Sequence, residues 1–259
     1  MSGLVRLLSI LDIFTPTTPV WPSDALIEHM ECAPSTGYRY IKAMHEAGFL
    51  TRVANGSYAL GPRILALDRT HRVADPIYTT GTPVIRRLAH KTGCSALLCE
   101  LFGDSVVCVQ RQLNNENLEN LFDRGQSRPL FAGASAKAIL AWLPNHQLKS
   151  LFLKHREAIG HAALGRDWES FRNTLREIRA MGYAHTVSEF HVGIALIGAP
   201  LFNRQREVVG SLVLAASTRG LDKRAFAALA PEVVVASQAV TQALAEPHIS
   251  DVLAARALG

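Results

Sequence analysis

Hydrophobic residues near the start of the chain recur at helical spacing, and prolines interrupt them. Apolar positions from Val5 to Phe14 predict a first helix, which the three prolines of TPTTPVWP end. Ser23 is a candidate N-cap for a second short helix, DALIEHM, and Pro34 suits the first position of a third. The pattern therefore predicts three short helices within the first 50 residues.

The third helix, in the segment STGYRYIKAMHEAGFL, has two different faces on a helical wheel. One face is apolar or small and contains Gly37, Ile41, Met44 and Gly48, with Tyr40 and Ala47 beside them. The other face is polar and cationic and contains Ser35, Arg39, Lys42 and Glu46, with Thr36 and Tyr38 on its flanks. Two helices joined by a tight turn, with such an outer face on the second, predict a helix-turn-helix that reads the DNA major groove. A face that is merely solvated is the alternative, and we expect Gly37 to let the two helices approach closely.

A β-hairpin is predicted directly after the third helix. Asn55-Gly56 is a strong turn signal between two strands, Leu50–Val53 and Ser57–Leu60. Such a hairpin forms the wing of a winged helix-turn-helix and places Arg52 near a DNA phosphate. The next segment, PRILALDRTHRVADP, predicts a linker helix that connects two domains and can also pair with a dimer mate.

The remainder of the chain combines helical and strand patterns. IYTTGTPVIRRLAHKTG predicts a long helix that ends at Gly93, and CSALLCELFGDSVVCVQRQ predicts a hairpin that turns at Gly103-Asp104. Further helices are predicted in SAKAILAWL, in DWESFRNTLREIRAMG and in a last segment that begins at Leu221 and bends at Pro231. Strands are predicted near Tyr183–Val187, Ile194–Pro200 and Val208–Ala216. Strands framed by helices predict an antiparallel sheet with helices on its faces, in the α+β class.

Composition and charge restrict the class of protein and the partners that the chain can have. The chain has 259 residues and a net charge of +5, but residues 1–75 carry seven basic and seven acidic side chains. Bulk charge therefore does not mark the N-terminal part as a nucleic-acid binder, and only the local arrangement of its charges does. No apolar run of membrane-spanning length and no signal peptide is found, so we expect a cytoplasmic protein without a membrane partner. Four cysteines without CxxC spacing predict free thiols and no metal site.

Several motifs occur in a fixed order along the chain. Ser35-Thr36-x-Tyr38-Arg39, EAGFL and YALGPRILAL come first, then LFDRGQSRPLFAGASAKAILAWLP and GYAHTVSEFHVGIALIGAPLFNRQREVVGSLVLAAS. Together they resemble the IclR-type family of bacterial transcription regulators, from about Leu4 to Ala245. One departure is Pro34, where the family often has a basic residue. The resemblance implies a winged helix-turn-helix at 1–61, a linker helix at 62–75 and a GAF-like effector-binding and oligomerisation domain at 76–259.

The resemblance and the helical wheel together give two sets of candidate residues. DNA contacts are expected from Ser35, Thr36, Tyr38, Arg39, Lys42, Arg52 and Asn55, on a pseudo-palindromic operator in double-stranded DNA that a dimer or tetramer binds. Effector contacts are expected from Gly133, Ala134, Ser135, Glu189, Leu196, Val213 and Ala215. The helix N-terminus at FAGAS favours a carboxylate, and the apolar Leu196, Val213 and Ala215 favour an aromatic or medium-chain acid over a small oxoacid. Ordinary sheet core is the alternative for these three positions.

The expected function is effector-responsive regulation of transcription, of a catabolic operon, rather than catalysis. The sequence has no GxSxG, P-loop, GxGxxG or HExxH motif, and Ser135 and Lys137, two positions apart, point to different helix faces. We therefore predict no catalytic residue and no cofactor. Two alternatives remain open: a cysteine-based GAF-like redox enzyme that uses Cys94, Cys99 and Cys108, and an interaction module without an effector.

Overall fold

The computed structural model describes residues 3–114, 122–189, 192–219 and 222–246. The chain divides into two units between Val73 and Ala74. Four features that the sequence singles out lie outside the described residues: Leu121 at the start of the motif LFDRGQSRPL, the predicted start of the last helix at Leu221, residues Phe190 and His191 of the second-domain motif, and the end of the predicted second domain, 247–259.

The first unit consists of short helices and a small sheet. Its elements are α1 (Gly3–Ser9), β1 (Val20–Pro22), α2 (Ser23–His29), α3 (Pro34–Glu46), β2 (Leu50–Arg52), β3 (Ser57–Leu60) and α4 (Arg63–Ala74), which ends one residue beyond the boundary. The three strands pair antiparallel in the order β1-β3-β2. The structure therefore confirms the predicted hairpin and adds β1, a strand that the proline-rich segment does not predict.

The core of the first unit lies between α2, α3 and the segment that follows α1. Its buried apolar side chains are Ile10, Leu26, Ile27, Met30, Ile41, Met44 and Leu50. The predicted inner face of α3 is thus confirmed. The predicted N-cap is wrong, because Ser23 is already helical and, within the described residues, α2 begins after Pro22 without a side-chain cap. The fixed φ of Pro22, −64°, lets the chain pass directly from β1 into the helix.

The second unit is built on one large sheet. Its elements are α5 (Pro76–Thr92), β4 (Ser95–Phe102), β5 (Ser105–Gln112), β6 (Ser127–Pro129), α6 (Gly133–Leu140), α7 (Asn145–His161), α8 (Trp168–Met181), β7 (Ala184–Val187), β8 (Ile194–Phe202), β9 (Val208–Ser217), α9 (Lys223–Ala228) and α10 (Ala230–Ala245). Its six strands lie in the order β6-β5-β4-β9-β8-β7, and every neighbouring pair is antiparallel. This sheet, with helices on both faces, confirms the predicted α+β class.

The two faces of the sheet carry separate cores. Along β4, Leu97 and Cys99 belong to the core shared with α6, α7 and α8, whereas Leu98 belongs to the core shared with α5 and α10. This alternation follows from the two-residue period of a strand. Helix α6 packs on the face of the sheet that carries Leu97 and Cys99, so a cavity between them is lined by residues of α6 and of the sheet.

Several helix ends in the second unit follow local sequence signals. Gly93 and Gly182 end α5 and α8 in left-handed backbone conformations, with φ of 68° and 78°. The predicted break near Pro231 is confirmed, because α9 ends at Ala228 and α10 begins at Ala230. Helix α7 is not among the helices predicted from the sequence, and its helical course is interrupted at His155 by a φ of −127°.

The stretch Arg224–Ala245 is long and apolar enough to cross a membrane by length and composition alone. In the structure its residues Val233, Ala236 and Val240 are buried in the core beside α5. A long apolar helix of this kind is common in the cores of folded domains. Packing on the sheet therefore accounts for the buried side of this stretch, which is 28% of its most apolar window.

Candidate nucleic-acid interface and ligand cavity

The outer face of α3 is accessible along its length. Its exposed polar side chains include Ser35, Tyr38, Arg39 and Lys42, and Thr36 is half-buried. Lys42 Nζ lies 3.7 Å from Glu46 Oε1, in an exposed ion pair that is weak enough to rearrange. The polar and cationic face predicted from the wheel therefore lies on the surface of the first unit.

Tyr38 links the two helices of the helix-turn-helix. Its Oη donates a hydrogen bond of 2.8 Å to Asp24 Oδ1, and this hydrogen bond raises the pKa of Tyr38. The side chain stays half exposed, at 50%. Its hydroxyl is thus hydrogen-bonded within the protein, while its ring remains on the outer face of α3.

The two helices approach each other closely at Gly37. A Cβ placed on Gly37 would lie 2.5 Å from Ile27 Cγ1 and 2.9 Å from Ile27 Cγ2. Carbon atoms do not pack this closely, so only glycine fits here without a shift of α2 or of Ile27. The reason predicted for a glycine inside this helix is therefore confirmed, although glycine lowers helix propensity by roughly 1 kcal/mol relative to alanine.

The hairpin between β2 and β3 carries the other two predicted DNA contacts. Asn55 and Gly56 at its turn have φ of 57° and 70°, in the left-handed region that an Asn-Gly pair tolerates. Arg52 ends β2 opposite Tyr58, and both Arg52 and Asn55 are exposed. On the other side of β3, β1 completes the sheet, and Trp21 Nε1 donates a hydrogen bond of 3.0 Å to the Ile13 carbonyl.

A small cavity, here called the sheet cavity, lies between α6 and the sheet of the second unit. Gly133, Ser135, Leu196 and Val213, which are among the predicted effector contacts, form half of its wall. The wall is completed by Leu97, Cys99, Phe122 and Arg128, which the sequence analysis does not predict. The volume is about 10 Å³, room for about one water molecule. In this structure the sheet cavity is therefore too small for an organic acid.

Two further predicted effector residues, Ala134 and Ala215, belong to the packing around the sheet cavity. Both are fully buried. Ala215 lies opposite Leu196 in the register of β9 and β8. A Cβ placed on Gly198 of β8 would lie 2.6 Å from the Ala134 carbonyl oxygen, so α6 rests directly on the sheet at this point. In this structure both alanines are buried by packing, Ala134 on α6 and Ala215 on β9.

Glu189, the last of the predicted effector residues, binds the start of α6. Its Oε1 accepts a hydrogen bond of 3.0 Å from the Gly133 amide, and its Oε2 accepts one of 2.9 Å from Lys137 Nζ. Lys137 Nζ also donates to the Ala162 carbonyl, at 3.0 Å. The sequence predicts that this helix N-terminus binds a carboxylate of the effector. In the structure the Gly133 amide instead donates to the carboxylate of Glu189, which corrects the predicted role of Gly133.

Arg128 brings a positive charge to the wall of the sheet cavity. Its guanidinium carbon lies 4.3 Å from the centre of the Phe122 ring, and burial lowers the pKa of Arg128. In the short strand β6 the middle residue, Arg128, is half-buried between the exposed Ser127 and Pro129. A strand of three residues is too short for this alternation to be recognised in the sequence segment SRP.

Cys99, in the wall of the sheet cavity, packs beside a second buried cysteine. Cys99 and Cys108 are both fully buried and lie opposite each other on β4 and β5. Their mutual hydrogen bond and burial raise the pKa of Cys99 well above its usual range, and burial raises the pKa of Cys94. Because the thiolate is the reactive form, these environments suit packing rather than the cysteine-based redox chemistry considered as an alternative.

Comparison with known proteins agrees with this arrangement of two units. Residues 3–54 match the IclR helix-turn-helix domain, and residues 72–242 match the bacterial transcriptional regulator IclR C-terminal domain. The HTH-type transcriptional regulator KipR of Bacillus subtilis is 27% identical over 216 residues, which cover 82% of this chain and 84% of KipR.

Solved structures show the same fold. An IclR transcriptional regulator from Alicyclobacillus acidocaldarius superposes with a TM-score of 0.77 at 19% identity, covering 93% of this chain and 98% of its own. An IclR homologue from Microbacterium hydrocarbonoxydans, complexed with 4-hydroxybenzoate, has a TM-score of 0.71 at 18% identity, covering 94% and 99%. Because models of both domains match in order over most of its length, the chain belongs to the IclR family of bacterial transcriptional regulators, which are not enzymes.

Proposed function

We propose that the first unit binds a pseudo-palindromic operator as part of a homo-oligomer, and that the second unit senses an organic acid. In this role the protein acts in the cytoplasm and controls a catabolic operon. The observation that carries the DNA-binding part is the exposed polar face of α3 beside an exposed hairpin in one small unit. This is the pairing of reading helix and wing that a winged helix-turn-helix uses.

Each side chain on this surface has a role that suits its chemistry. Arg39 donates two parallel hydrogen bonds to guanine O6 and N7. Ser35 and Thr36, in the first turn of α3, bind phosphate oxygens or base edges together with the helix amides. The ring of Tyr38 contacts a thymine methyl group. The remaining contacts are to phosphates, from Lys42 on α3 and from Arg52 and Asn55 on the hairpin.

Exposed apolar side chains on α1 and α4 support oligomerisation. On α1, Leu4 and Leu8 are 74% and 59% exposed, and on α4, Leu65 and Val73 are 73% and 69% exposed. The described residues of α4 include no buried side chain at all. Neighbouring exposed apolar residues of this kind mark surfaces that other chains cover. We infer that these helices contact a second copy, as an operator with two half-sites requires.

The sheet cavity is the proposed effector site. Its wall combines apolar Leu97, Leu196 and Val213 with the Arg128 guanidinium and the Ser135 hydroxyl. A guanidinium offers a fork of donors to a carboxylate, so Arg128 takes the role that the sequence analysis gives to the Gly133 amide. An aromatic or medium-chain acid suits these groups, and the 4-hydroxybenzoate bound by the Microbacterium homologue supports this class. Binding requires α6 and the sheet to separate.

Calorimetry with a matched panel tests the effector role. The panel contains benzoate-type acids, their neutral amides, and two- and three-carbon oxoacids. We expect an aromatic acid to bind, its amide to bind less well, and Arg128→Gln to reduce the difference between them. Arg166→Gln, at an exposed position away from the sheet cavity, is the control. Binding of a small oxoacid without any response to aromatic acids would contradict the proposed effector class.

The DNA-binding role is tested on the DNA that flanks the gene. We expect footprinting to protect two half-sites about one helical turn apart, and the bound acid to change the affinity. A single protected half-site would contradict the two-fold assembly. Protection that is identical with and without a bound acid would contradict effector sensing.

A further inference from the structure

A second cavity of the second unit is far larger than the sheet cavity. It lies between the turn joining β8 to β9, the last turns of α10, and Trp142, which follows α6, and we call it the Trp142 cavity. Its volume is about 440 Å³, against about 10 Å³ for the sheet cavity. Ligand pockets for small molecules have volumes of about 300–1,000 Å³. The Trp142 cavity thus has room for a small organic molecule in the structure as it stands.

The aromatic part of its wall is fixed in place. The rings of Trp142 and Phe202 meet edge to face, with centroids 5.0 Å apart and an interplanar angle of 83°. The Arg179 guanidinium lies 5.0 Å from the Trp142 ring centre and is itself held by hydrogen bonds of 2.6 and 2.9 Å to the Ala141 carbonyl. The Phe202 amide donates to Thr241 Oγ1 of α10, at 3.2 Å. This wall is therefore preorganised for a flat apolar group.

The polar part of the wall is cationic. Arg204 and Arg206 both line the Trp142 cavity, and both are exposed. Within the part of the chain that the structure describes, neither guanidinium forms an ion pair. Glu207, the carboxylate of the same turn, accepts a hydrogen bond of 2.9 Å from Asn203 Nδ2. The Trp142 cavity therefore combines the positive charge of two guanidiniums with an apolar aromatic wall.

We propose that the Trp142 cavity binds an organic anion with a flat apolar body, such as an aromatic carboxylate. The body lies against Trp142 and Phe202, and the carboxylate accepts charge-assisted hydrogen bonds from Arg204 and Arg206. A neighbouring cavity of about 350 Å³ shares Trp142 and Arg206 as wall residues, so an anion with a longer apolar tail also fits. This site is separate from the effector site proposed at the sheet cavity, and its existence does not depend on that proposal.

Titration with 1-naphthoate and its neutral amide, 1-naphthamide, tests this site. Calorimetry measures binding, and quenching of tryptophan fluorescence shows whether the ligand lies near Trp142. The decisive variant is Arg204→Gln combined with Arg206→Asn. Asparagine is chosen because Arg206 has a φ of 64°, which asparagine tolerates. The matched control is Gln205→Ala, an exposed residue of the same turn that does not line the cavity.

We expect the wild-type protein to bind the acid more tightly than the amide. In the Arg128→Gln background, the double variant should weaken binding of the acid about tenfold or more and bind acid and amide alike, whereas Gln205→Ala should change neither. Trp142→Phe should keep binding in calorimetry and lose most of the quenching. Unchanged binding of the acid by the double variant, or no saturable binding by the wild type up to about 1 mM, would overturn the proposal. Binding lost only on Val213→Asp would place the acid in the sheet cavity and would also overturn it.

Discussion

At the scale of single residues, the most specific prediction for DNA recognition concerns Arg39. It is exposed on the outer face of α3, with its guanidinium carbon 5.8 Å from the centre of the Tyr40 ring. We expect Arg39→Ala to weaken specific binding by about 1–3 kcal/mol and to relax base choice at one position of each half-site. Fluorescence anisotropy against operator variants measures both effects. Arg39→Lys is the control, because it keeps the charge and loses the paired donors, and an Arg39→Ala protein with unchanged affinity and preference would exclude the assignment.

Glu189 gives a second expectation at the residue scale. Its carboxylate binds both the Gly133 amide and Lys137, whose side chain is only 12% exposed. We expect Glu189→Ala to lower the free energy of unfolding of the second unit by about 1–3 kcal/mol, because it leaves a donor and a mostly buried charge without their partner. Denaturant unfolding measures this loss. Lys137→Met in the Glu189→Ala background should recover part of it, and a double variant that is no more stable than the single one would contradict the coupling.

At the scale of elements, the packing of α2 on α3 depends on Gly37. Alanine there improves helix propensity by roughly 1 kcal/mol, but its Cβ would lie 2.5 Å from Ile27 Cγ1 in a buried contact. Overpacking of this kind costs about 1–3 kcal/mol, so we expect Gly37→Ala to destabilise the first unit on balance. Thermal unfolding of Gly37→Ala, Ile27→Ala and the double variant forms a cycle. The two substitutions should couple, since Ile27→Ala removes the atoms that clash, and strict additivity would contradict the close contact.

The elements that the sequence predicts well are those with a local signal. The hairpin at Asn55-Gly56 and the helix ends at Gly93 and Gly182 each follow from residues that tolerate left-handed backbone conformations. Strand β1 is different, because it consists of Val20–Pro22 and exists through pairing with β3, which is a tertiary contact. A segment with three prolines gives no strand signal of its own.

The candidate sites, like the elements, include parts that the sequence predicts and parts that only the fold brings together. The outer face of α3 follows from helical periodicity, so its exposed residues could be predicted from the wheel. The walls of the sheet cavity combine strands, a helix N-terminus and Phe122, which are brought together only by the fold. Arg128 could not be ranked above other arginines from the sequence, because its burial depends on how β6 pairs with β5. The hydrogen bond from the Gly133 amide to Glu189 joins residues 56 positions apart, so no local sequence pattern predicts it either.

At the scale of the whole molecule, the distribution of charge determines how DNA binding responds to salt. Residues 1–75 carry seven basic and seven acidic side chains, so the net positive charge lies in the rest of the chain. If Lys42 and Arg52 of each of two copies neutralise phosphates, a plot of log K against log salt concentration has a slope of about −4. Anisotropy titrations at several salt concentrations measure this slope. Lys42→Ala should make it shallower by about two, because each copy loses one phosphate contact, whereas a slope near −10 would require phosphate contacts from basic residues of the second unit.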